Sequence, residues 1–361
     1  MKKVILDTDM VEGFDDGIAL IMLENAKNIE LLGVTTVCGN TNIQKANATA
    51  IKQIELLNLD TPIYEGSSQL LNDTRSSIDF IRKEENYVGK IYYSGFLSNY
   101  INNNNVDKSL SYEDYYFQLY NEKCTYNNIY TKKKRDIDGC DNAVDYLINQ
   151  VNKYPNEITL LAIGPLTNIA RAIIKDPSFS SKVKEIVYMG GAFYVDGNST
   201  KNAEFNWWVD PDAAKICLNS NWGLKNNDYN NQIIFSLKSS INTEKMPQNI
   251  YDKILAKTYN DLKKILIKTS GIKSPTNLWD VIAGAYVIDP NIVLSWNNEN
   301  YNQNIDRKGV YVDIENQLNS NFAKAFVTKK KVRANSKKAI IANKIDSNLL
   351  FKDIIYPLLT K

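Results

Sequence analysis

The chain has 361 residues, of which 43% are hydrophobic, and its formal net charge is +2. This length is enough for a large buried core, in one α/β domain or in two smaller domains. A charge this close to zero excludes a general electrostatic attraction to nucleic acid or to a membrane. The chain has no histidine, which excludes histidine-dependent catalytic triads and histidine-ligated zinc.

The cysteines and the N-terminal residues predict a protein of a reducing compartment. The four cysteines are Cys38, Cys124, Cys140 and Cys217. They form no Cys-x-x-Cys pair and their spacing is irregular, so we expect free thiols. The apolar run between Lys3 and Asp7 is too short for a signal peptide or a membrane span. We therefore expect a cytoplasmic protein.

Predicted strands and helices alternate along most of the chain. Short apolar runs that end in turn residues predict strands, and apolar residues at helical spacing predict helices. The predicted strands are residues 3–8, 31–38, 62–64, 157–163 and 186–189, and the predicted helices are residues 15–28, 43–57 and 167–174. This alternation predicts βαβ units and an α/β fold with an open, mostly parallel, Rossmann-like sheet flanked by helices.

Two polar stretches interrupt the alternation. Residues 68–135 are rich in Tyr and Asn, and we interpret them as an atypical insert of loops and helices within a single domain that spans residues 1–361. Residues 297–309 are predicted to form an exposed loop. The basic clusters at residues 132–135 and 329–338 are interpreted as solvated surface.

Carboxylates are concentrated at the end of the first predicted strand. Asp7 and Asp9 are two residues apart, which places their side chains on one face, and Asp15 and Asp16 begin the next predicted helix. Ligands bind at the carboxyl ends of strands in open α/β sheets. Carboxylates about 4 Å apart repel by roughly 4 kcal/mol at an effective dielectric of about 20, and a hard cation such as Ca²⁺ or Mg²⁺ removes this repulsion. The alternative is a solvated acidic turn, and Asp-x-Asp motifs also occur in phosphatases and glycosyltransferases.

Five segments in chain order resemble motifs of the nucleoside hydrolases, the inosine-uridine preferring superfamily. The first contains Asp7-Thr8-Asp9 and Asp15-Asp16, and the five are residues 4–20, 36–40, 162–170, 189–214 and 278–286. The resemblance covers most of the chain outside residues 68–135. It implies the nucleoside hydrolase fold and an N-ribohydrolase that releases a free base and ribose from a ribonucleoside, with Ca²⁺ as cofactor. It also implies a place in purine salvage and a homo-oligomer, either a dimer or a tetramer.

The resemblance implies a role for each matching residue. Residues implied as metal ligands are Asp9, Asp16, Asp280 and Ile163, the last through its carbonyl oxygen. Residues implied as substrate contacts are Asp15, Asn40, Met189, Asn198, Glu204, Asn206 and Trp279. Asp9 is also implied as the base that takes a proton from the attacking water, and Asp7 as a support for the metal loop. A carboxylate-rich pocket favours the positive charge of an oxocarbenium-like ribose.

The sequence departs from the family pattern at two points. The interval from Asp9 to Asp15 is two residues longer than in the commonest loop, although the superfamily contains a longer variant. Trp279 stands before Asp280 where many members carry a histidine that protonates the leaving base. The Trp-Asp pair resembles the purine-specific branch, in which the base stacks on an aromatic ring, an interaction worth about 1–3 kcal/mol. The alternative for Trp279 is a core tryptophan.

A stacked base would need a second aromatic partner, and several residues are candidates. They are Phe80, Tyr87, Tyr92, Tyr93, Phe96, Trp207 and Trp208. The leading hypothesis is hydrolysis of purine-type ribonucleosides. The alternatives are hydrolysis of a modified purine nucleoside of the 7-deazaguanine type, a non-catalytic nucleoside-binding homologue, and a metal-dependent phosphatase built on the Asp-x-Asp motif.

Overall fold

The computed structural model describes most of the chain, in several segments. They are residues 1–11, 15–72, 110–131, 143–223, 230–243, 245–258, 278–297, 309–317, 319–328, 330–331 and 335–361. Within them the chain forms an eleven-stranded sheet with helices on both faces.

The sheet and its helices have the following bounds. The strands are β1 (Lys2–Thr8), β2 (Ile29–Thr36), β3 (Ile63–Tyr64), β4 (Ile129–Tyr130), β5 (Ile158–Ala162), β6 (Glu185–Met189), β7 (Gln232–Phe235), β8 (Val293–Trp296), β9 (Val310–Ile314), β10 (Ala325–Thr328) and β11 (Lys337–Ile345). The α-helices are α1 (Asp16–Asn25), α2 (Ile43–Leu56), α3 (Tyr112–Tyr120), α4 (Ala143–Lys153), α5 (Thr167–Lys175), α6 (Phe179–Lys182), α7 (Phe205–Val209), α8 (Pro211–Asn219), α9 (Leu237–Ile241), α10 (Gln248–Lys257), α11 (Trp279–Ile288) and α12 (Tyr356–Leu359). A 3-10 turn at Pro290–Ile292 and a π-helical segment at Leu349–Ile355 accompany them.

The sheet is mostly parallel, which confirms the predicted fold class. Its strand order is β10-β9-β11-β7-β6-β5-β1-β2-β3-β4, and β8 also pairs with β11. Along the run β7-β6-β5-β1-β2-β3-β4, every neighbouring pair of strands is parallel, and β11 also pairs in parallel with β7. The strands β8, β9 and β10 pair antiparallel at the other end of the sheet.

Burial on both faces explains why the central strands are continuous apolar runs. In β1, Val4 and Leu6 belong to one hydrophobic cluster and Ile5 belongs to a second cluster on the opposite face. Alternate residues of a strand point to opposite faces, so helices must cover both. By the same alternation, the side chains of Asp7 and Thr8 at the end of β1 point to opposite faces of the sheet.

The element bounds agree with the sequence to within a few residues, and the differences have local causes. The predicted helix at 15–28 ends at Asn25, because Ala26 is already extended with φ −80° and ψ 118°. The predicted strand at 31–38 begins earlier, at Ile29, because Ile29 pairs with Lys2 at the start of β1.

The two polar stretches are described only in part. Within residues 68–135, α3 begins with a capping box formed by Ser111 and Asp114, and β4 pairs with β3. In the second stretch the prediction of exposure is wrong at Asn297, which is buried because its backbone N–H and side-chain oxygen both bond to Ile341. Residues 73–109, 132–142 and 298–308 lie outside the described residues, and the single-domain interpretation stays a prediction.

The described residues also bear on the thiols and on membrane crossing. As predicted, no disulfide joins Cys38, Cys124 and Cys217 within the described part of the chain, while Cys140 lies outside the described residues. No helix in the described part of the chain is both long enough and apolar enough to cross a membrane.

Candidate active site

Carboxylates and amides gather at the carboxyl edge of the central strands. Asp9 follows β1, Asn40 follows β2, Ile163 follows β5, and Met189 is the last residue of β6. Since these strands are parallel neighbours in the order β6-β5-β1-β2, their carboxyl ends lie at one edge of the sheet. Asp280 reaches the same edge from the first turn of α11.

A compact acidic cluster forms at this edge. Asp15, Asp16 and Asp280 each offer a carboxylate oxygen, and these oxygens lie within 4.8 Å of one another. All three side chains are buried, with exposures of 2%, 0% and 7%. Asp9 is buried beside them, and its burial, followed by the charge of Asp16, raises its pKa. The structure thus groups three carboxylates from the first and the last of the five motifs, and Asp9 is a buried neighbour outside that 4.8 Å group.

Burial makes the ionised form of these carboxylates costly. Desolvation is the largest cause of every shift, and it raises the pKa of Asp15 to about 8 and that of Asp16 to about 6. Desolvation first, and then the charges of neighbouring carboxylates, raise the pKa of Asp9 and Asp280 well above the ordinary range. Near neutral pH the four carboxylates are therefore not all ionised unless a cation compensates their charge.

Unpartnered oxygens indicate what the cluster could hold. Asp9 Oδ1, Asp16 Oδ2 and Asp280 Oδ1 are buried and accept no hydrogen bond. Buried acceptors without a donor are rare in folded proteins because each loses its solvation without compensation. Three carboxylate oxygens from three residues are the type of donor set that a hard divalent cation takes. The residues present therefore fit a metal site, and their chemistry favours Ca²⁺ or Mg²⁺.

Hydrogen bonds hold the second oxygen of two of these carboxylates, those of Asp9 and Asp16. Asp9 Oδ2 accepts from the backbone N–H of Asn40 at 2.6 Å, and Asp16 Oδ1 accepts from the Thr8 hydroxyl at 2.5 Å. Each side chain is thus fixed through one oxygen while the other stays available. The sequence analysis assigned no role to Thr8, although its position between Asp7 and Asp9 in the first motif could have indicated one.

Two glycines make room for Asp9. A Cβ atom at Gly39 would lie 2.1 Å from Asp9 Oδ2, and a Cβ atom at Gly164 would lie 2.8 Å from the Asp9 backbone nitrogen. Real Cβ contacts essentially never fall below 3.0 Å. Both positions therefore exclude any larger residue while Asp9 keeps this place.

Asp7 belongs to a separate network that joins three segments. Its Oδ1 accepts from the Thr35 hydroxyl at 2.5 Å and from Asn168 Nδ2 at 2.8 Å. Asn168 also donates to the carbonyl oxygen of Thr36 and accepts from the N–H of Ser67. Burial raises the pKa of Asp7 to about 6. These bonds connect β1, β2 and α5 next to the acidic cluster, and the supporting role of Asp7 stays a prediction.

Glu204 is the N-cap residue of helix α7, and its side chain accepts hydrogen bonds from backbone groups of two segments. Its Oε1 accepts from the N–H of Asn206 at 2.7 Å, and its Oε2 accepts from Gly191 at 2.9 Å and Trp207 at 3.2 Å. Burial raises its pKa to about 7. Charge on Glu204 also contributes to the raised pKa values of Asp9 and Asp280, so this residue belongs to the same electrostatic site.

Asn206 links the ends of β5 and β6. Its Nδ2 donates to the carbonyl oxygen of Ile163 at 3.0 Å and lies 3.3 Å from the carbonyl oxygen of Met189. The bond orients the carbonyl group that the family resemblance implies as a metal ligand. Asn198 lies one loop earlier and is partly exposed, and its Oδ1 accepts from the N–H of Phe205 at 2.9 Å.

Trp279 is the first residue of α11 and is adjacent to Asp280. It is partly exposed and packs against the hydrophobic cluster that contains α1 and α11. Trp207 is fully buried, with its ring edge-to-face to Tyr188 and Phe193, so it is a core residue. Trp208 is buried as well. The other candidates for a second stacking ring lie outside the described residues: Phe80, Tyr87, Tyr92, Tyr93 and Phe96.

Sequence comparisons place the chain among known hydrolases. Residues 4–352 match the family model of the inosine-uridine preferring nucleoside hydrolases. The chain is 36% identical over 221 residues to uridine nucleosidase 1 of Arabidopsis thaliana, and the match covers 61% of this chain and 54% of the relative. It is 33% identical over 220 residues to the probable uridine nucleosidase 1 of Oryza sativa, covering 60% and 55%. The chain thus spans about half the length of the curated relatives that it matches.

Solved structures share the fold over the full length. An inosine-uridine preferring nucleoside hydrolase from Bacillus anthracis superposes with a TM-score of 0.67 at 20% identity, covering 100% of this chain and 99% of that chain. A purine-preferring ribonucleoside hydrolase from Gardnerella vaginalis gives a TM-score of 0.67 at 21% identity, with the same coverage. With the family match over nearly the whole sequence, these findings show that the chain belongs to the inosine-uridine preferring nucleoside hydrolase family.

Proposed function

We propose that this protein is a Ca²⁺-dependent N-ribohydrolase that cleaves the N-glycosidic bond of ribonucleosides to a free base and ribose. One observation carries the proposal: Asp9, Asp16 and Asp280 each hold a buried, unpartnered carboxylate oxygen at the carboxyl edge of the sheet. Such a site has both the donors for a hard cation and a base for the attacking water. Family membership supports the same reaction.

The cation would be held by Asp9, Asp16, Asp280 and the carbonyl oxygen of Ile163. When bound, Ca²⁺ would polarise the attacking water and neutralise the clustered carboxylates. The affinity of this site for Ca²⁺ then depends on how these residues are oriented. The N–H of Asn40 orients Asp9, the hydroxyl of Thr8 orients Asp16, and Asn206 orients the Ile163 carbonyl.

Asp9 has the properties of the catalytic base. Its Oδ2 is fixed by Asn40 and its Oδ1 is unpartnered, so one oxygen is available to take a proton from water. The water oxygen bonds to the anomeric carbon as the glycosidic bond breaks, and the electron pair of that bond leaves with the nucleobase. The surrounding carboxylates, including Glu204, favour the positive charge that develops on the ribose.

Sugar recognition is proposed for residues at the same edge. Their carboxylate and amide groups suit the hydroxyls of ribose, and their hydrogen bonds to backbone groups hold them in place. The proposed contacts are Asp15, Asn40, Asn198, Glu204 and Asn206, with Met189 against the sugar. Fixed polar groups of this kind bring the anomeric carbon to Asp9 in one orientation.

The identity of the base has two candidates. Trp279 favours a purine, because its ring is partly exposed beside Asp280 and a larger base gains more from stacking. A pyrimidine is the second candidate, since the relatives from Arabidopsis thaliana and Oryza sativa are named as uridine nucleosidases. A modified purine of the 7-deazaguanine type is a variant of the first candidate. In either case the chain has no histidine to protonate the leaving base, so we propose that the base takes its proton from solvent.

A nucleoside panel tests the function. Inosine, adenosine, guanosine, 7-deazaguanosine, uridine and cytidine are incubated with the protein in Ca²⁺ or in a chelator, and released ribose is measured. We expect ribose from the purine nucleosides in Ca²⁺ and none in chelator. The matched variant Asp9→Asn keeps the size of the side chain but removes the base, and it should release no ribose. Tight nucleoside binding without any ribose release would instead indicate a non-catalytic nucleoside-binding protein.

We also propose a homo-oligomer, a dimer or a tetramer, as is common in the family. Sedimentation velocity measures this directly, and a monomer at micromolar concentration contradicts the proposal.

A further inference from the structure

Asp15 makes an unusual choice of hydrogen-bond partner. It occupies the N-cap position of α1, yet its side chain accepts no bond from α1. Instead, its Oδ2 accepts from the backbone N–H of Asp280 at 2.8 Å and from that of Val281 at 3.3 Å. These are the second and third residues of α11, and the N-cap residue of that helix, Leu278, supplies no side-chain bond. Asp15 therefore caps a helix other than its own.

Within the described residues, Asp15 Oδ2 is the one acceptor that bonds to the N–H groups of Asp280 and Val281. The first N–H groups of a helix have no partner inside the helix, and water or a side chain must satisfy them. Asp15 and Asp280 are 2% and 7% exposed, and Val281 is fully buried, so bulk water does not reach these groups. A carboxylate is also the preferred acceptor at this end of a helix, because the helix dipole is positive there.

The position of α11 matters because two proposed site residues begin it. Trp279 is its first residue and Asp280 its second. Asp15, in turn, is followed directly by Asp16, whose carboxylate the Thr8 hydroxyl fixes. One side chain thus connects the segment that carries Asp16 with the helix that carries Trp279 and Asp280.

We propose that Asp15 is a positioning residue, which sets Trp279 and Asp280 against Asp16 by capping α11. Base binding then depends on Asp15 even for a ligand that has no ribose. The dependence of base binding rests on the proposed function, whereas the cap itself does not. This role is separate from the sugar contact proposed for Asp15, which would use its other oxygen.

Two substitutions separate the cap from the charge. Asp15→Asn removes the negative charge but keeps an oxygen that can accept from both N–H groups. Asp15→Ala removes both. Amide hydrogen exchange at Asp280 and Val281 is measured in chelator, and binding of adenine and of uracil is measured by calorimetry in Ca²⁺. Free bases carry no sugar, so losing a ribose contact does not affect this binding.

We expect Asp15→Asn to keep both properties within about twofold of the unmodified protein, and Asp15→Ala to lose them. In Asp15→Ala, exchange at the two amides should be at least about tenfold faster and binding of the accepted base about tenfold weaker, because the first turn of α11 loses its side-chain acceptor. If Asp15→Ala does not fold, Asp15→Ser takes its place, since serine is a favoured N-cap residue for α1 and its side chain is one atom too short to bond to α11 as Asp15 does.

The outcomes separate the two proposals. Equal exchange at both amides in Asp15→Ala and Asp15→Asn overturns the cap. Faster exchange in Asp15→Ala with unchanged base affinity overturns the coupling between the cap and the base site. If the unmodified protein binds neither base, the proposed function loses its base site, and the exchange measurement still decides whether Asp15 caps α11.

Discussion

Substitution of Gly39 by alanine tests the proposed role of Asp9 without touching Asp9 itself. The new Cβ atom would lie 2.1 Å from Asp9 Oδ2 and 2.8 Å from Asp9 Cβ. The backbone at residue 39 has little freedom to retreat, because the N–H of Gly39 bonds to Thr41 and the N–H of Asn40 bonds to Asp9. The Asp9 carboxylate must therefore be displaced.

The size of the displacement gives the expected effect. Contacts of real Cβ atoms essentially never fall below 3.0 Å, so the carboxylate must move by about 1 Å, and a misplacement of this size can cost about 10²-fold in rate. We expect Gly39→Ala to fold, to bind Ca²⁺ more weakly and to lose about 10²-fold in kcat/KM for ribose release. Steady-state kinetics and calcium titration by calorimetry measure these changes.

Gly284 offers a matched control for the same substitution. It lies inside α11, and a Cβ atom there would be 3.5 Å from Ala19 Cβ, an ordinary van der Waals contact. Neither glycine is among the described glycines with positive φ, which are Gly191 and Gly223, so backbone strain does not enter. Gly284→Ala should keep full activity and gain up to about 1 kcal/mol from helix propensity. If Gly39→Ala also keeps kcat/KM and calcium affinity within about twofold of the unmodified protein, then Asp9 is neither the base nor a ligand in this arrangement.

Three further predictions concern the metal, the pH dependence and the base. Saturating Ca²⁺ should stabilise the protein against thermal unfolding, by about 2.7 kcal/mol at a hundred times the dissociation constant, and an unchanged Tm in chelator and in Ca²⁺ would contradict a metal site. In chelator, stability should fall as pH rises from about 4 to about 8. Folding raises the pKa of Asp16 to about 6 and that of Asp15 to about 8 from the ordinary 3.8, so between these values the native state binds more protons than the unfolded state. The contribution is fully present below pH 3.8, and it is lost by about pH 6 for Asp16 and by about pH 8 for Asp15. Unfolding curves over this range should show no such fall in Ca²⁺, and a rise in chelator would refute the argument. Trp279→Ala should lower kcat/KM for the accepted nucleoside by about tenfold or more while Trp279→Phe keeps most of it, since stacking is worth about 1–3 kcal/mol per base, and equal losses in both variants would exclude stacking.

The sequence by itself determined the sheet and the chemistry of its edge. Apolar runs such as Val4-Ile5-Leu6 are buried on both faces, and only a strand in the middle of a parallel sheet meets that requirement. Asp9, Asp15 and Asp16 are close in sequence, so their clustering at one strand end follows from local geometry. Short-range patterns are sufficient for such features, because strand and helix periodicity place neighbouring residues without knowledge of the rest of the chain.

The family resemblance implied that Asp280 and Ile163 belong to the site, but only the tertiary structure decided how these distant groups come together. Asp280 meets Asp15 and Asp16 only because α11 packs against α1. No local pattern indicated that Asp15 would cap α11 instead of its own helix, or that Gly39 must lack a side chain to admit Asp9. These features depend on which backbone N–H groups of another segment lie within hydrogen-bond reach of Asp15, and on which atoms of another segment lie against residue 39. That approach is set by packing across the whole sheet, so it cannot be derived from the spacing of residues along one strand or helix.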